Sequence, residues 1–370
     1  MKYIATCKLG LESLVTRQLH DLGINVEKTE DARVTFYGDY ADMMRALLWL
    51  RTAERILLVI GSFPATTFDE LFEQTKALDW KPFLTPHTTI HVNGKSAKST
   101  LFSVSDCQRI VKKAIVESVK SAYRCNDIPE GGEEIIIEIG ILRDEATLAL
   151  DCCGAGLSRR GYRTFNVTAP LAETIGAAIV LLARFHAGIS LIDPMCGSGT
   201  MPIEAAMIAQ NRAPGLLRSF AAENWKFVEP ALWAQAREQA RDSANNEPVD
   251  ILGSDIDPHC IDLCKMHAKK AGVMLNWQIC PIAELSTEKH NGIFVCNPPY
   301  GERMLDKVDA LELYRQMRSV FATMPDWSVN IITSVEQFER VYGRRADKRR
   351  KLTNGGMQCN LYQYFGAREK

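Results

Sequence analysis

The stretch Ser190-Leu191-Ile192-Asp193-Pro194-Met195-Cys196-Gly197-Ser198-Gly199-Thr200 runs from a short apolar strand through a glycine loop into a helix predicted over 201–211. A strand, a glycine loop and a helix in immediate succession open a doubly wound parallel sheet, in which ligands bind at the strands' carboxyl ends. Glycines let the backbone approach a ligand with no Cβ in the way, and the helix start offers unpaired N–H donors. The loop lacks the Lys-Ser/Thr of a phosphate-binding loop and the third glycine of a dinucleotide fingerprint. With Asp193 as acceptor for a charged amine, it suits a zwitterionic amino-acid tail.

Working outward, further strands are predicted at 251–255, 293–296 and 328–334, with a terminal one at 358–365. Gly253-Ser254-Asp255-Ile256-Asp257-Pro258 ends the second of the sheet's strands. An acidic residue there accepts ribose hydroxyls, which assigns Asp255 to the sugar and Ile256 to packing on adenine. Asp257 before Pro258 reads as an N-cap with proline at the first helical position. After the next strand stands Asn297-Pro298-Pro299-Tyr300. A base amine attacking a methyl sulfonium must localise a lone pair otherwise shared with the ring. Two acceptors achieve this: the Asn297 side-chain oxygen and the Pro298 carbonyl, held by the two prolines, with Tyr300 as a stacking face.

The first 60 residues read strand 3–7, helix 11–22, strands 25–28 and 33–37, helix 40–50 and strand 55–61, a small ferredoxin-like module. A second small α/β unit follows. It has a helix at 69–78 capped by Asp69, a strand at 88–93, a helix at 106–123 capped by Ser105, and a hairpin at 135–151 turning at Arg143-Asp144-Glu145. Expected boundaries are 1–62, 63–160 and 165–370, with a polar link from Gly154 to Arg163. Trp225, Trp233, Phe220 and Phe227 are assigned to an inserted helical segment within 211–250.

Composition is that of a globular protein, with 46% hydrophobic and 24% charged residues. Apolar stretches such as 175–183 are far shorter than the roughly 18 residues that cross a bilayer. The N-terminus MKYIATCKLG lacks a signal-peptide apolar region, and 11 scattered cysteines do not form a disulfide framework, so a reducing cytoplasm is expected. The net charge of −1 decides nothing about nucleic acid, but Arg344, Arg345, Lys348, Arg349, Arg350 and Lys351 fall within eight residues. They are expected in a loop contacting RNA phosphates, extended by Lys112-Lys113, Arg159-Arg160 and Arg163. His259, Cys260, Cys264 and His267 are predicted on different faces of one helix, so no metal site is assigned.

The three motifs, in this order, resemble the class I methyltransferases that modify base amino groups. Thr168-Ala169-Pro170-Leu171-Ala172-Glu173-Thr174 looks like their cofactor-covering segment. Leu48-Trp49-Leu50-Arg51-Thr52 and Ser103-Val104-Ser105-Asp106-Cys107-Gln108 are similar to the ferredoxin-like plus THUMP arrangement of bacterial large-subunit ribosomal RNA guanine-N2 methyltransferases. The resemblance implies S-adenosylmethionine held by Asp193, Met195, Cys196, Gly197, Gly199, Thr200, Asp255, Ile256, Asn297, Thr168 and Pro170, with Phe165 or Asn166 nearby. It implies chemistry at Asn297, Pro298, Pro299 and Tyr300, and 23S ribosomal RNA, met through Tyr300, Arg303 and the basic run, as partner. The family usually has an aspartate on the adenine amine; here Glu284 takes its place. Some relatives carry a second methyltransferase domain; with the chain ending at Lys370, one activity is expected. Adenine N6 methylation of DNA or RNA is the alternative within enzymes, and an RNA-binding ribosome-assembly factor the alternative outside them. The incomplete glycine fingerprint disfavours a nicotinamide enzyme.

Overall fold

The computed structural model describes residues 1–129, 131–164, 171–300 and 307–367. These form two compact units: Met1–Cys7, Val15–Leu157 and Ser219–Glu238 in the first, and Lys8–Leu14, Ser158–Arg218 and Gln239–Lys370 in the second.

The first unit contains β1 (Lys2–Cys7), most of α1 (Glu12–Asp21), β2 (Asn25–Glu30), β3 (Arg33–Tyr37), α2 (Tyr40–Trp49), β4 (Ala53–Pro64), α3 (Phe68–Ala77), β5 (Thr89–Ala97), α4 (Val104–Tyr123), β6 (Glu134–Leu142) and β7 (Glu145–Asp151). The two modules expected here share one seven-stranded sheet, β2-β3-β1-β4-β7-β6-β5. β4 makes the join, pairing with β1 along one edge and β7 along the other. A strand end was expected at Gly61; instead the register shifts between Val59 and Gly61 and the strand continues. Glycine within a strand commonly marks such a bulge.

Two caps differ from expectation. Thr67, not Asp69, caps α3: its hydroxyl accepts the Glu70 N–H, and the Glu70 carboxylate accepts the Thr67 N–H. A capping box satisfies two helix-end donors at once, which an acid two residues later cannot do. Likewise α4 starts one residue after Ser103, whose hydroxyl donates to Asp106. The hairpin turn is as expected, with Arg143 and Asp144 both left-handed at φ 53° and 63°.

The aromatic insertion belongs to this first unit, where Phe227 stacks on Trp225 at 5.1 Å and meets Phe83 edge-on at 5.3 Å. Sequence order alone assigned it to the domain in which it is inserted; burial of its aromatic rings decides otherwise.

The second unit contains α5 (Glu173–Leu182), β8 (Leu191–Asp193), α6 (Thr200–Ala209), the end of α7 (Pro230–Asp242), β9 (Ile251–Asp255), α8 (Pro258–Ala271), β10 (Asn276–Ile279), β11 (Ile293–Cys296), α9 (Lys307–Ala322), β12 (Ser328–Thr333), α10 (Phe338–Tyr342), β13 (Lys348–Asn354) and β14 (Met357–Tyr364). Its sheet runs β10-β9-β8-β11-β12-β14-β13, with the first five strands parallel and β14 antiparallel to both neighbours. β8 and β11 are buried throughout, as the central strands of a sheet covered on both faces must be. The core over β11, β12 and β14 is aromatic: Phe294, Phe321, Trp327, Phe338, Tyr342, Tyr362 and Tyr364.

Two strands lie beyond the sequence reading. β10 is a four-residue edge strand, Asn276-Trp277-Gln278-Ile279, too short for its alternation to stand out, with only Trp277 half-buried. β13 takes in Lys348, Arg349, Arg350 and Lys351 of the cationic run, which was expected as a loop. Its position at the sheet edge explains the charges, because edge strands tolerate lysine and arginine. The turn expected at Asn354-Gly355-Gly356 joins it to β14. Among the described residues, no helix is long and apolar enough to cross a membrane.

Candidate active site

Chain order reverses between β8 and β11: β9 and β10 lie to one side of β8, while β11 and β12 lie to the other. The loops after β8, β9, β10 and β11 therefore open at one end of the sheet, around the crevice where doubly wound folds bind ligands. Asp193 and the glycines after it, Asp255 and Ile256, Glu284, and Asn297 to Tyr300 all lie at these strand ends or on the loops that follow them. A cavity of about 610 Å³ sits at the opposite end, beside Gly292, Ile293, Ser328 and Phe365; Lys348 of the basic run lines it, and no residue of the glycine loop, the Asp255 loop or the proline turn does.

The loop after β8 is tightly built. Gly197 and Gly199 have φ of 51° and 82°, backbone that side chains rarely adopt. A Cβ on Gly199 would stand 3.0 Å from Cys264 Sγ and from the Trp277 ring, whereas Gly197 faces open space. From α8, Cys264 Sγ donates to the Gly197 carbonyl at 3.2 Å and lies 3.6 Å from Cys196 Sγ; His267 Nδ1 bonds the Ser198 carbonyl at 3.1 Å. Burial disfavours His267's charged form, so a neutral ring donates this bond. Cys260, Cys264 and His267 are thus all buried on one side of α8, with only His259 exposed, whereas different faces were expected. Spacings of four and three residues place them along a single stripe.

Asp255 ties the loops together: its carboxylate accepts the Gly197 N–H at 2.9 Å and the Asp257 N–H at 3.1 Å. Two of its roughly four lone-pair positions remain for another donor. Beside it Ile256 is 68% exposed, an apolar platform on the cleft side of the strand end. Asp257 caps α8 as expected, accepting from the His259 N–H. Glu284 lies exposed in the 3-10 turn that follows β10.

Asp193 is 1% exposed and accepts the Met195 N–H at 3.3 Å. Burial first, and then the nearby Asp255 charge, raise its carboxyl well above the ordinary carboxylate range. An acid so placed gains from a cationic partner. The buried acid, the acceptor at Asp255, the open face of Gly197 and the exposed Ile256 together fit S-adenosylmethionine, whose ammonium Asp193 would hold, whose ribose Asp255 would hold and whose adenine Ile256 would face. That cofactor supplies an activated methyl group on a sulfonium.

At the end of β11, Asn297 is half-buried and its Oδ1 accepts the Tyr300 hydroxyl at 2.5 Å. The Pro299 carbonyl accepts the Tyr314 hydroxyl at 3.0 Å, and Tyr314 also meets Thr333 Oγ1 at 3.1 Å. A buried tyrosine from α9 thus anchors the proline turn, a support that the motif itself does not reveal.

Other expected residues go elsewhere. The Thr200 hydroxyl accepts from Arg163, which also donates to the Leu171 carbonyl and lies 3.6 Å from Glu173. Arg160 is buried against Glu204 at 3.2 Å, where Tyr162 also donates its hydroxyl. Neither arginine is available to phosphate, and the expected polar link is interior at both. Sequence places the charges but not their partners. Arg344 pairs with Asp347, Arg349 approaches Glu339 at 3.9 Å, and Arg350 donates to the Gly10 carbonyl; Arg345, Lys348 and Lys351 are exposed. Phe165, Asn166, Thr168, Pro170 and Arg303 lie outside the described residues. Arg160→Met is expected to destabilise the protein by about 3–5 kcal/mol by stranding Glu204, whereas adding Glu204→Met should restore most of the loss. Urea denaturation measures both; equal stability of the two variants would refute the pair.

A parallel sheet with a strand-order reversal, a glycine loop and a buried acid at the end of β8, and an Asn-Pro-Pro-Tyr turn at the end of β11 are the features of a class I, S-adenosylmethionine-dependent methyltransferase. Residues 160–363 match the RMKL-like methyltransferase domain, 2–57 the RlmL ferredoxin-like domain and 65–151 the THUMP domain. The chain belongs to the RMKL-like methyltransferase family. It is 44% identical over 367 residues to the putative RNA methyltransferase YpsC of Bacillus subtilis, spanning 98% of this chain and 95% of that one. It is 32% identical to the ribosomal RNA large subunit methyltransferase K/L of Legionella pneumophila, covering 96% of this chain but only 52%, about half, of that relative. Among solved structures, SMU.472, a putative methyltransferase complexed with SAH, superposes with TM-score 0.94 at 39% identity, covering 100% of this chain and 99% of that one. A predicted N6-adenine-specific DNA methylase from Listeria monocytogenes gives 0.94 at 47%, covering 99% and 96%.

Proposed function

We propose that this enzyme transfers the methyl group of S-adenosylmethionine to the exocyclic N2 of a guanine in large-subunit ribosomal RNA. The observation carrying the reading is the Asn297-Pro298-Pro299-Tyr300 turn at the end of β11, next to the Asp193 and Asp255 loops at the strand-order reversal. Carbonyl acceptors on an amine draw its lone pair out of conjugation, and fixed alignment with the methyl donor supplies much of the rate. The THUMP match and the RNA methyltransferase names of the relatives support RNA. The large-subunit name of the K/L relative supports the ribosomal target. Eleven thiols with no disulfide among the described residues suit a reducing cytoplasm.

Labelled S-adenosylmethionine, the protein and ribosomal RNA from a strain lacking the gene should yield labelled N2-methylguanosine. Label in N6-methyladenosine, or in DNA alone, would replace this reading with the adenine one that the name of the Listeria neighbour favours.

Phosphate contact is assigned to the exposed cations at and just before the β13 edge, Arg345, Lys348 and Lys351; Lys113 and Arg159 of the expected track are exposed as well. Reversing Arg345, Lys348 and Lys351 to glutamate is expected to weaken RNA binding at least tenfold and to lower the salt dependence by roughly two to three counterions. Cofactor affinity should not change. Filter binding across a salt series measures this, and an unchanged slope would place the RNA elsewhere.

A further inference from the structure

We propose that the Tyr300 hydroxyl is a positioning group that sets the orientation of the Asn297 carboxamide, so that Oδ1 rather than Nδ2 meets the incoming amine. This rests on the methyl-transfer reading above and adds a role distinct from base stacking. The two ends of a carboxamide are nearly equal in shape but opposite in hydrogen bonding. An Nδ2 facing the substrate would oppose the amine's hydrogens instead of accepting them. The 2.5 Å contact from the Tyr300 hydroxyl to Asn297 Oδ1 selects one orientation. Burial holds the phenol protonated, so it remains a donor. Behind it, Cys359 on β14, 2% exposed, directs its Sγ at the phenol oxygen at 4.0 Å. The frame is stiff: two prolines separate Asn297 from Tyr300, and Tyr314 holds the Pro299 carbonyl. Oδ1 has a second lone pair for the amine, so the phenol stays bonded while the substrate is methylated.

Tyr300→Phe keeps the ring and removes only the hydroxyl. For the full-length protein, with total label transferred to ribosomal RNA as the readout, kcat is expected to fall about tenfold, the effect of one hydrogen bond. KM for RNA and the Kd for S-adenosylhomocysteine should stay within about twofold of wild type, as uniform binding is untouched. In an Asn297→Asp background the same change should have less than about a twofold effect on single-turnover rate, because a carboxylate presents oxygen in either orientation. A Tyr300→Phe enzyme as fast as wild type, or one that raises KM with kcat intact, would leave Tyr300 with stacking alone and overturn the proposal. So would an equal loss in both backgrounds. Because total label is counted whichever base receives it, these results are independent of whether guanine N2 is the target.

Discussion

Asn297→Ala is expected to lower the rate of methyl transfer by about 10³-fold while leaving the Kd for S-adenosylhomocysteine within about twofold of wild type. The acceptor at Oδ1 matters most as the amine loses conjugation and begins to form a bond, so its removal falls on kcat more than on binding. Asn297 lies at the end of β11, whereas the acids expected to hold the cofactor follow β8 and β9, so truncating it leaves both in place. Single-turnover label transfer and calorimetry measure the two quantities. Loss of cofactor binding instead would mean that Asn297 belongs to the cofactor pocket.

Asp193→Asn should weaken cofactor binding about 10²–10³-fold, the magnitude for a buried cation deprived of its counter-charge. It should also stabilise the cofactor-free protein. The sign follows from linkage. The folded-state carboxyl of Asp193 is raised above its unfolded value, so the stability it contributes is fully present below the ordinary carboxylate range and is lost as pH rises through the folded value. At neutral pH the wild type carries that loss, and the asparagine does not. The Tm advantage of Asp193→Asn should therefore be largest near neutrality and vanish in acid. Wild-type cofactor affinity in the variant would dislodge Asp193 from the ammonium site, and a Tm gain independent of pH would rule out its charge as the cause. A gain of stability with a loss of function is expected where an acid is buried for a ligand rather than for the fold.

Much of the catalytic unit was legible because its signals are local. Strands 251–255 and 293–296 coincide with β9 and β11, since short apolar runs bounded by glycine and polar residues need no distant partner to be recognised. The Asp257-Pro258 cap and the turns at Arg143-Asp144 and Gly355-Gly356 are written in their own backbone preferences. Partner choice is not. Arg160 and Arg163 look like exposed phosphate ligands until Glu204, Glu173 and Thr200, far along the chain, take them inside.

By itself the sequence determined four of the catalytic sheet's parallel strands, the glycine and proline loops at their ends and the residue types those loops carry, because glycine, proline and capping preferences act within a few residues. Tertiary structure alone decided that β4 welds two modules into one sheet, that the cationic run is an edge strand and that the aromatic insertion joins the first unit. It also decided that Tyr300 turns its hydroxyl onto Asn297. Each of these depends on which surfaces meet and exclude water, a property of contacts between residues distant in sequence or of a turn held from outside itself.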